Sequence, residues 1–305
     1  MVDGSWWSVV GYPLPSTHYR PTIIMRSWLF LPIILLLSAC YEPKEGCLDI
    51  EATNYDVSAD DMCPKCCTYP KLSVQVLHYV VSPANPDSVF TMKYATKYQG
   101  LLDSNQFFFL DRGRFFISNV KLIRDSGEEV GVKDSVLLPR IFGDSILVEN
   151  NFSKHDRDIL QAASLGIVRT VGMFSGVKFT LGVPQIVLDE VQVDSIKTGA
   201  LFVRNDTLSY DSLTGIIPTR FILRPDTLAD MPKIDFRFKE PREITLLFAQ
   251  PVVIERGFNI KLVLGFNYSI LLKDVDFKND DAAIIRTKID SQLTNAFSIV
   301  SFKLE

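Results

Sequence analysis

Arg114-Phe115-Phe116-Ile117-Ser118-Asn119-Val120-Lys121-Leu122 is the run that settles the fold class. Aromatic and β-branched residues crowd it, and such side chains suit the pleated, half-buried surface of a strand. Ser118 and Asn119 break the apolar run with short groups that can bond backbone, and Gly182 before Val183-Pro184 permits a bend or bulge where a strand ends. Comparable runs lie on both sides: Leu72-Ser-Val-Gln-Val76 alternates apolar and polar, and Gln106-Phe-Phe-Phe-Leu110 and Ile260-Lys-Leu-Val-Leu264 are short and rich in strand formers. Asp-Ser pairs at Asp87, Asp103, Asp125, Asp134, Asp144, Asp194, Asp211 and Asp290 separate them. Such residues start turns by bonding their own backbone. Many short strands divided by frequent turns predict a mainly β protein, an antiparallel β-sandwich, over residues 71–305. One helix is expected late, where Ala282, Ile285, Ile289, Leu293 and Ala296 recur at spacings of three and four behind the capping residues Asn279-Asp280-Asp281. A second is expected over Lys154 to Leu165.

Upstream, Met25-Arg-Ser-Trp-Leu-Phe-Leu-Pro-Ile-Ile-Leu-Leu-Leu-Ser-Ala-Cys40 places a positive charge before a short apolar run that ends in small residues and a cysteine. This is the pattern of a lipoprotein signal peptide, residues 25–39, cut before Cys40, which then carries lipid. The apolar run from Trp28 to Leu37 is too short to cross a bilayer as a helix, which takes about 20 residues. Residues 1–24 have no place in such a signal and read as an upstream mis-start, with Met25 the true first residue. Tyr41 is not the aspartate that commonly retains lipoproteins in the inner membrane, so the expected location is the outer membrane, on its periplasmic or surface face.

The chain has 305 residues, 47% hydrophobic and 22% charged, with a formal net charge of −4. That balance excludes a disordered chain and a multi-spanning one. Removing residues 1–39, with Asp3, Arg20 and Arg26, leaves it acidic, so no nucleic-acid partner is expected. His18, Trp6, Trp7 and Trp28 are also lost, which leaves His78 and His155 and no tryptophan.

Cys47, Cys63, Cys66 and Cys67 fall close together behind the lipid anchor, and none follows in the rest of the chain. In an oxidising compartment an even cluster predicts two disulfides and makes residues 40–70 a small stapled tether. A bridge between the neighbours Cys66 and Cys67 is disfavoured by geometry, so Cys47 is expected to pair with Cys66 or Cys67. A four-cysteine zinc site is the rival reading, although Cys66-Cys67 is not a second C-x2-C. Between these cysteines Asp49, Asp56, Asp60 and Asp61 supply short oxygen-bearing side chains that could hold calcium. Their spacing is not that of an EF-hand loop, and solvated turns are the alternative.

Reaction motifs are scarce. Gly143-Asp144-Ser145-Ile146 is similar to the nucleophile block of GDSL-type esterases, but the aspartate and histidine that block needs have no counterparts, since residue 152, three before His155, is Phe. Gly172-Met-Phe-Ser175-Gly176 has one residue too many for a nucleophile elbow. The H-E-x-x-H, P-loop and G-x-G-x-x-G patterns are absent. The expectation is a lipid-anchored, non-enzymatic envelope protein that binds a small ligand, a metal or another envelope protein, with a metal-handling protein serving a redox partner as the alternative. A carbohydrate-active hydrolase would require two carboxylates about 5 to 10 Å apart in a cleft.

Leu72 to Val81, Tyr94-Ala-Thr-Lys-Tyr-Gln-Gly100, Arg114 to Leu122, Val177-Lys-Phe-Thr-Leu-Gly182-Val183-Pro184 and Asn295-Ala-Phe297-Ser298 together resemble, in order, the MbnP-like domain. That family is named for a periplasmic protein encoded beside the copper-binding peptide methanobactin. The resemblance implies copper handling through histidine and a tryptophan oxidised by a di-haem redox partner. With no tryptophan after Cys40, that second ligand cannot form here. His78 in the opening strand remains the candidate copper ligand, with His155, Met92, Met173 or Met231 as possible companions.

Overall fold

The computed structural model describes residues 42–63, 65–85, 87–225 and 232–305. The signal peptide, Cys40, the upstream residues 1–24 and Met231 lie outside them. In chain order the strands of the main domain are β1 (Lys71–Val81), β2 (Val89–Thr91), β3 (Lys97–Gln99), β4 (Phe107–Arg124), β5 (Glu129–Gly131), β6 (Ser135–Pro139), β7 (Ser145–Glu149) and β8 (Ser153–Asp156). They continue with β9 (Ala163–Ile167), β10 (Gly172–Leu181), β11 (Thr219–Pro225), β12 (Ile234–Phe238), β13 (Arg242–Ile254), β14 (Ile260–Asn267) and β15 (Phe297–Leu304), and a short ribbon of Tyr210–Asp211 with Gly215–Ile216 lies between β10 and β11 in the chain. The helices are α1 (Gln185–Glu190), α2 (Tyr268–Leu271) and α3 (Ala282–Gln292).

One sheet runs in the order β12-β11-β4-β10-β13, with β3, β5 and β8 also paired to the long β4. The other runs β9-β1-β14-β15, with β2 on β1. Their ladders are antiparallel except that β1 pairs parallel with β14, Leu72 beside Ile260 and His78 beside Phe266. Parallel neighbours need a long connection. Here everything between the domain's first strand and its penultimate one serves as that connection.

Leu72, Val74 and Val76 of β1 and Leu262, Leu264 and Phe266 of β14 share one buried core with Phe115 and Ile117 of β4 and Phe179 of β10. Phe115 and Phe266 rings are 4.9 Å apart, and Phe266 and Phe297 4.8 Å. Each such ring removed from water contributes about 1.5–3 kcal/mol. Phe116, pointing the other way from β4, is buried in a second cluster with Leu138 of β6 and Val187 of α1. The Phe115-Phe116-Ile117 run is therefore continuously apolar because both faces of β4 are covered.

The polar interruption is a bulge. Asn119 is left-handed at φ +52°, and the ladder from β4 to β10 shifts register between Lys178 and Thr180. The Ser118 hydroxyl donates to the Gly182 carbonyl at 2.9 Å, and the Asn119 N–H donates to Asn151 Oδ1 at 2.7 Å. Gly182 itself sits at φ +104°, where an L side chain is strained, and this ends β10. At the C-terminal end α3 begins where the caps predicted, with Asp281 accepting from the Ile284 N–H at 2.8 Å, and Ile285 and Ile289 are buried beneath it.

Two expectations are corrected. Lys154 to Leu165 is not a helix. Ser153–Asp156 pairs with β4, Ala163–Ile167 pairs with β1, and Gly166 at φ +130° bulges the second ladder. Of the two disulfides expected, one is closed, Cys47–Cys67, while Cys63 and Cys66 are half-buried thiols. The closed bridge uses two of the four sulfurs and so removes the four-cysteine zinc site. From Glu45 on, the cysteine segment belongs to the same compact unit as the sheets. Arg169 stacks 3.3 Å over the Tyr69 ring, and the Tyr69 hydroxyl donates to Asp49 at 3.0 Å.

A buried histidine pair as candidate functional site

Strand β1 directs alternate residues inward, and His78 follows Leu72, Val74 and Val76 onto the buried face. Strand β8 does the same with Ser153 and His155, which lie two residues apart against Ile117 and Phe115 of β4. Both imidazoles lie near the Phe115 ring, with centroids 5.6 Å away for His78 and 6.1 Å for His155. Both are almost wholly buried, at 5% and 1% exposure.

Each ring has one nitrogen held and one without a partner. His78 Nδ1 shares a 2.9 Å hydrogen bond with the Tyr268 hydroxyl, and His155 Nε2 shares one of 2.8 Å with Ser153 Oγ. His78 Nε2 and His155 Nδ1 have no hydrogen-bond partner among the described residues. Leaving a buried polar atom unpaired costs about 1–3 kcal/mol. Burial pushes His78 down to about 3, helped by the Arg157 cation and opposed by Asp158. Burial, then the closeness of His78, pushes His155 down to about 3 as well. Both rings are therefore neutral at physiological pH, the form that ligates a metal.

A charged network anchors β8. Asp156 beside His155 accepts from the Tyr94 hydroxyl at 2.8 Å and from Arg114 Nε at 2.9 Å. Arg114 and Lys154 both bind Asp206. Burial and the nearby Asp156 carboxylate hold the Tyr94 phenol well above its ordinary range. Tyr94 Oη also receives the Gly113 and Arg157 N–H groups. These carboxylates are saturated with donors, so the network acts as a frame.

Of the other candidates, Met92 lies beside His78. Its N–H donates to the His78 carbonyl at 3.0 Å, and its side chain is wholly buried in the same core. Met173, half exposed at 50%, faces away. The four aspartates do not assemble: among the described residues no group of three or more His, Cys, Asp or Glu forms a metal cluster. Asp49 accepts the Glu51 N–H, and this bond with that of Tyr69 holds its carboxyl below the usual range. Asp56 accepts from both the N–H and the hydroxyl of Ser58. Asp60 is an exposed bend residue, and Asp61 lies in a two-residue strand beside Glu45–Gly46. Asp49 and Asp56 thus use carboxylate oxygens in local turns. Ser145 opens β7 after the Gly143 turn at φ +91° and has no link to His155.

Sequence reasoning did not identify Ser153 and Tyr268, the groups that hold the two rings. The signal available was the Ser-x-His spacing, which puts both residues on one face only if the segment is a strand.

Two packed sheets around one aromatic core define the class: a mainly β protein that buries two neutral histidines among its core residues. No protein-family model matches the sequence, and no curated protein matches it. Among solved structures, MbnP from Methylosinus trichosporium is similar with a TM-score of 0.40 and 10% sequence identity, over 68% of this chain and 78% of that one.

Proposed function

We propose that this protein is a lipid-anchored, non-enzymatic protein of the cell envelope, held at the outer membrane through Cys40, that binds one copper ion between His78 and His155. The observation that carries the reading is the pair of unpartnered nitrogens, His78 Nε2 and His155 Nδ1. Their rings are neutral, and each is oriented by a hydroxyl on its other nitrogen. Metal-ligating histidines are held in this way, the second nitrogen fixing the ring.

The donor set favours Cu(I). Two neutral imidazoles in an aromatic core bring no charge to offset a dication, and burying uncompensated charge is costly. A monovalent ion reduces that cost. The lipobox around Cys40 supports the anchor, since the two or three acyl chains of a bacterial lipoprotein hold firmly at about 0.8 kcal/mol per buried CH2. Because no tryptophan follows Cys40, the site uses imidazole alone and needs no di-haem partner to prepare a ligand.

The test is a Cu(I) titration against a chromophoric competitor, on mature lipoprotein in detergent carrying Cys63→Ser and Cys66→Ser so that thiols do not compete. One Cu(I) per chain is expected, with His78→Ala and His155→Ala each weakening it by more than about 100-fold. No binding by the parent, or unchanged binding in both variants, would remove the reading.

A further inference from the structure

Ser153 has one proton and two neighbours. Its Oγ lies 3.3 Å from the Ile117 carbonyl oxygen and 2.8 Å from His155 Nε2, and it is buried with 1% exposure. A carbonyl can only accept, so two arrangements exist. In one, Ser153 donates to Ile117 and its oxygen accepts the Nε2–H of His155; two hydrogen bonds form, and Nδ1 keeps a bare lone pair. In the other, Ser153 donates to Nε2, the Ile117 contact is lost, and Nδ1 carries a proton that meets no acceptor. The second makes one hydrogen bond fewer and buries an unpaired N–H, a rarer condition in folded proteins than an under-used acceptor. The difference, about 1–3 kcal/mol, corresponds to a population ratio of roughly 5 to 150 in favour of the first.

We infer that Ser153 is a positioning residue that holds His155 as the Nε2–H tautomer, so that Nδ1 is the nitrogen offered to the metal. The inference deepens the copper reading above and rests on it for its purpose. Its proton inventory stands on the metal-free structure alone. The device depends on strand geometry: Ser153 and His155 share one face of β8 because they are two residues apart, and the Ile117 carbonyl lies opposite Ser153 in the ladder.

Two readouts separate this from a role in packing. Long-range 15N–1H NMR of the metal-free mature protein at neutral pH reports the tautomer of His155. The Nε2–H form is expected in the parent and in Ser153→Thr, and a mixture in Ser153→Ala. In the Cu(I) competition assay Ser153→Ala is expected to bind about 10- to 100-fold more weakly, with Ser153→Thr restoring affinity. A parent His155 protonated on Nδ1 would overturn the inference, even if Ser153→Ala failed to fold. So would a Ser153→Ala protein with unchanged tautomer and affinity. A parent that binds no copper but shows the Nε2–H tautomer, lost in Ser153→Ala, would remove the copper reading and leave the control of the ring by Ser153 in place.

Discussion

At the scale of single residues, the two histidines tie stability to acid. Unfolded, each imidazole titrates near 6.5, whereas folded each is pushed down to about 3. Between these values the unfolded chain binds more protons than the folded one. The metal-free protein is therefore fully stabilised above about pH 6.5 and loses stability as the pH falls toward 3. Urea midpoints measured between pH 5 and 7 should fall with acidity, and His155→Phe should roughly halve the slope there. Parallel slopes for parent and variant would mean that His155 is not buried as a neutral ring. His78 was legible in the sequence because Leu72-Ser-Val-Gln-Val76 sets an alternation that carries it inward. His155 was not, since a helical reading of Lys154 to Leu165 hides the period of two that joins it to Ser153. The orphan nitrogens are a property of packing, which no spacing reveals.

Among the elements, β8 depends on the bulge in β4. The Asn119 N–H is satisfied by the Asn151 side chain, which fixes the chain just before Ser153 enters its ladder. Asn151→Ala leaves that N–H without its partner and should cost about 1–3 kcal/mol in chemical denaturation, with weakened copper binding through displaced β8. Asn119→Val, forced into the left-handed region at φ +52°, should cost about 1–2 kcal/mol, whereas Asn119→Gly should be tolerated better. Equal stability of the Val and Gly variants would show that the backbone there is not left-handed. The sequence marked a polar interruption here, through Ser118-Asn119 within an apolar strand, and a bend at Gly182 where another strand ends, but not the left-handed turn at Asn119. It also marked α3 through Asp281 and the spacing behind it. What it could not show was the parallel pairing of β1 with β14, because the residues that meet stand nearly 190 positions apart.

For the whole molecule, the sandwich, the cysteine segment and the proposed anchor make separate predictions. Cys67→Ser opens a loop with a sequence separation of 20 and should lower stability by about 3 kcal/mol in denaturation of the oxidised protein. Cys40→Ala should abolish labelling by a fatty-acid probe in cells and release the chain from the membrane fraction. Continued membrane association without label would contradict the lipid anchor. Two histidines should hold the copper together, and X-ray absorption of the copper-loaded mature protein carrying Cys63→Ser and Cys66→Ser, which removes the free thiols, reads the ligands themselves. Imidazole nitrogen from two histidines is expected around each copper, with loss of that pattern in His78→Ala. A shell dominated by sulfur, or copper that washes off before measurement, would contradict it.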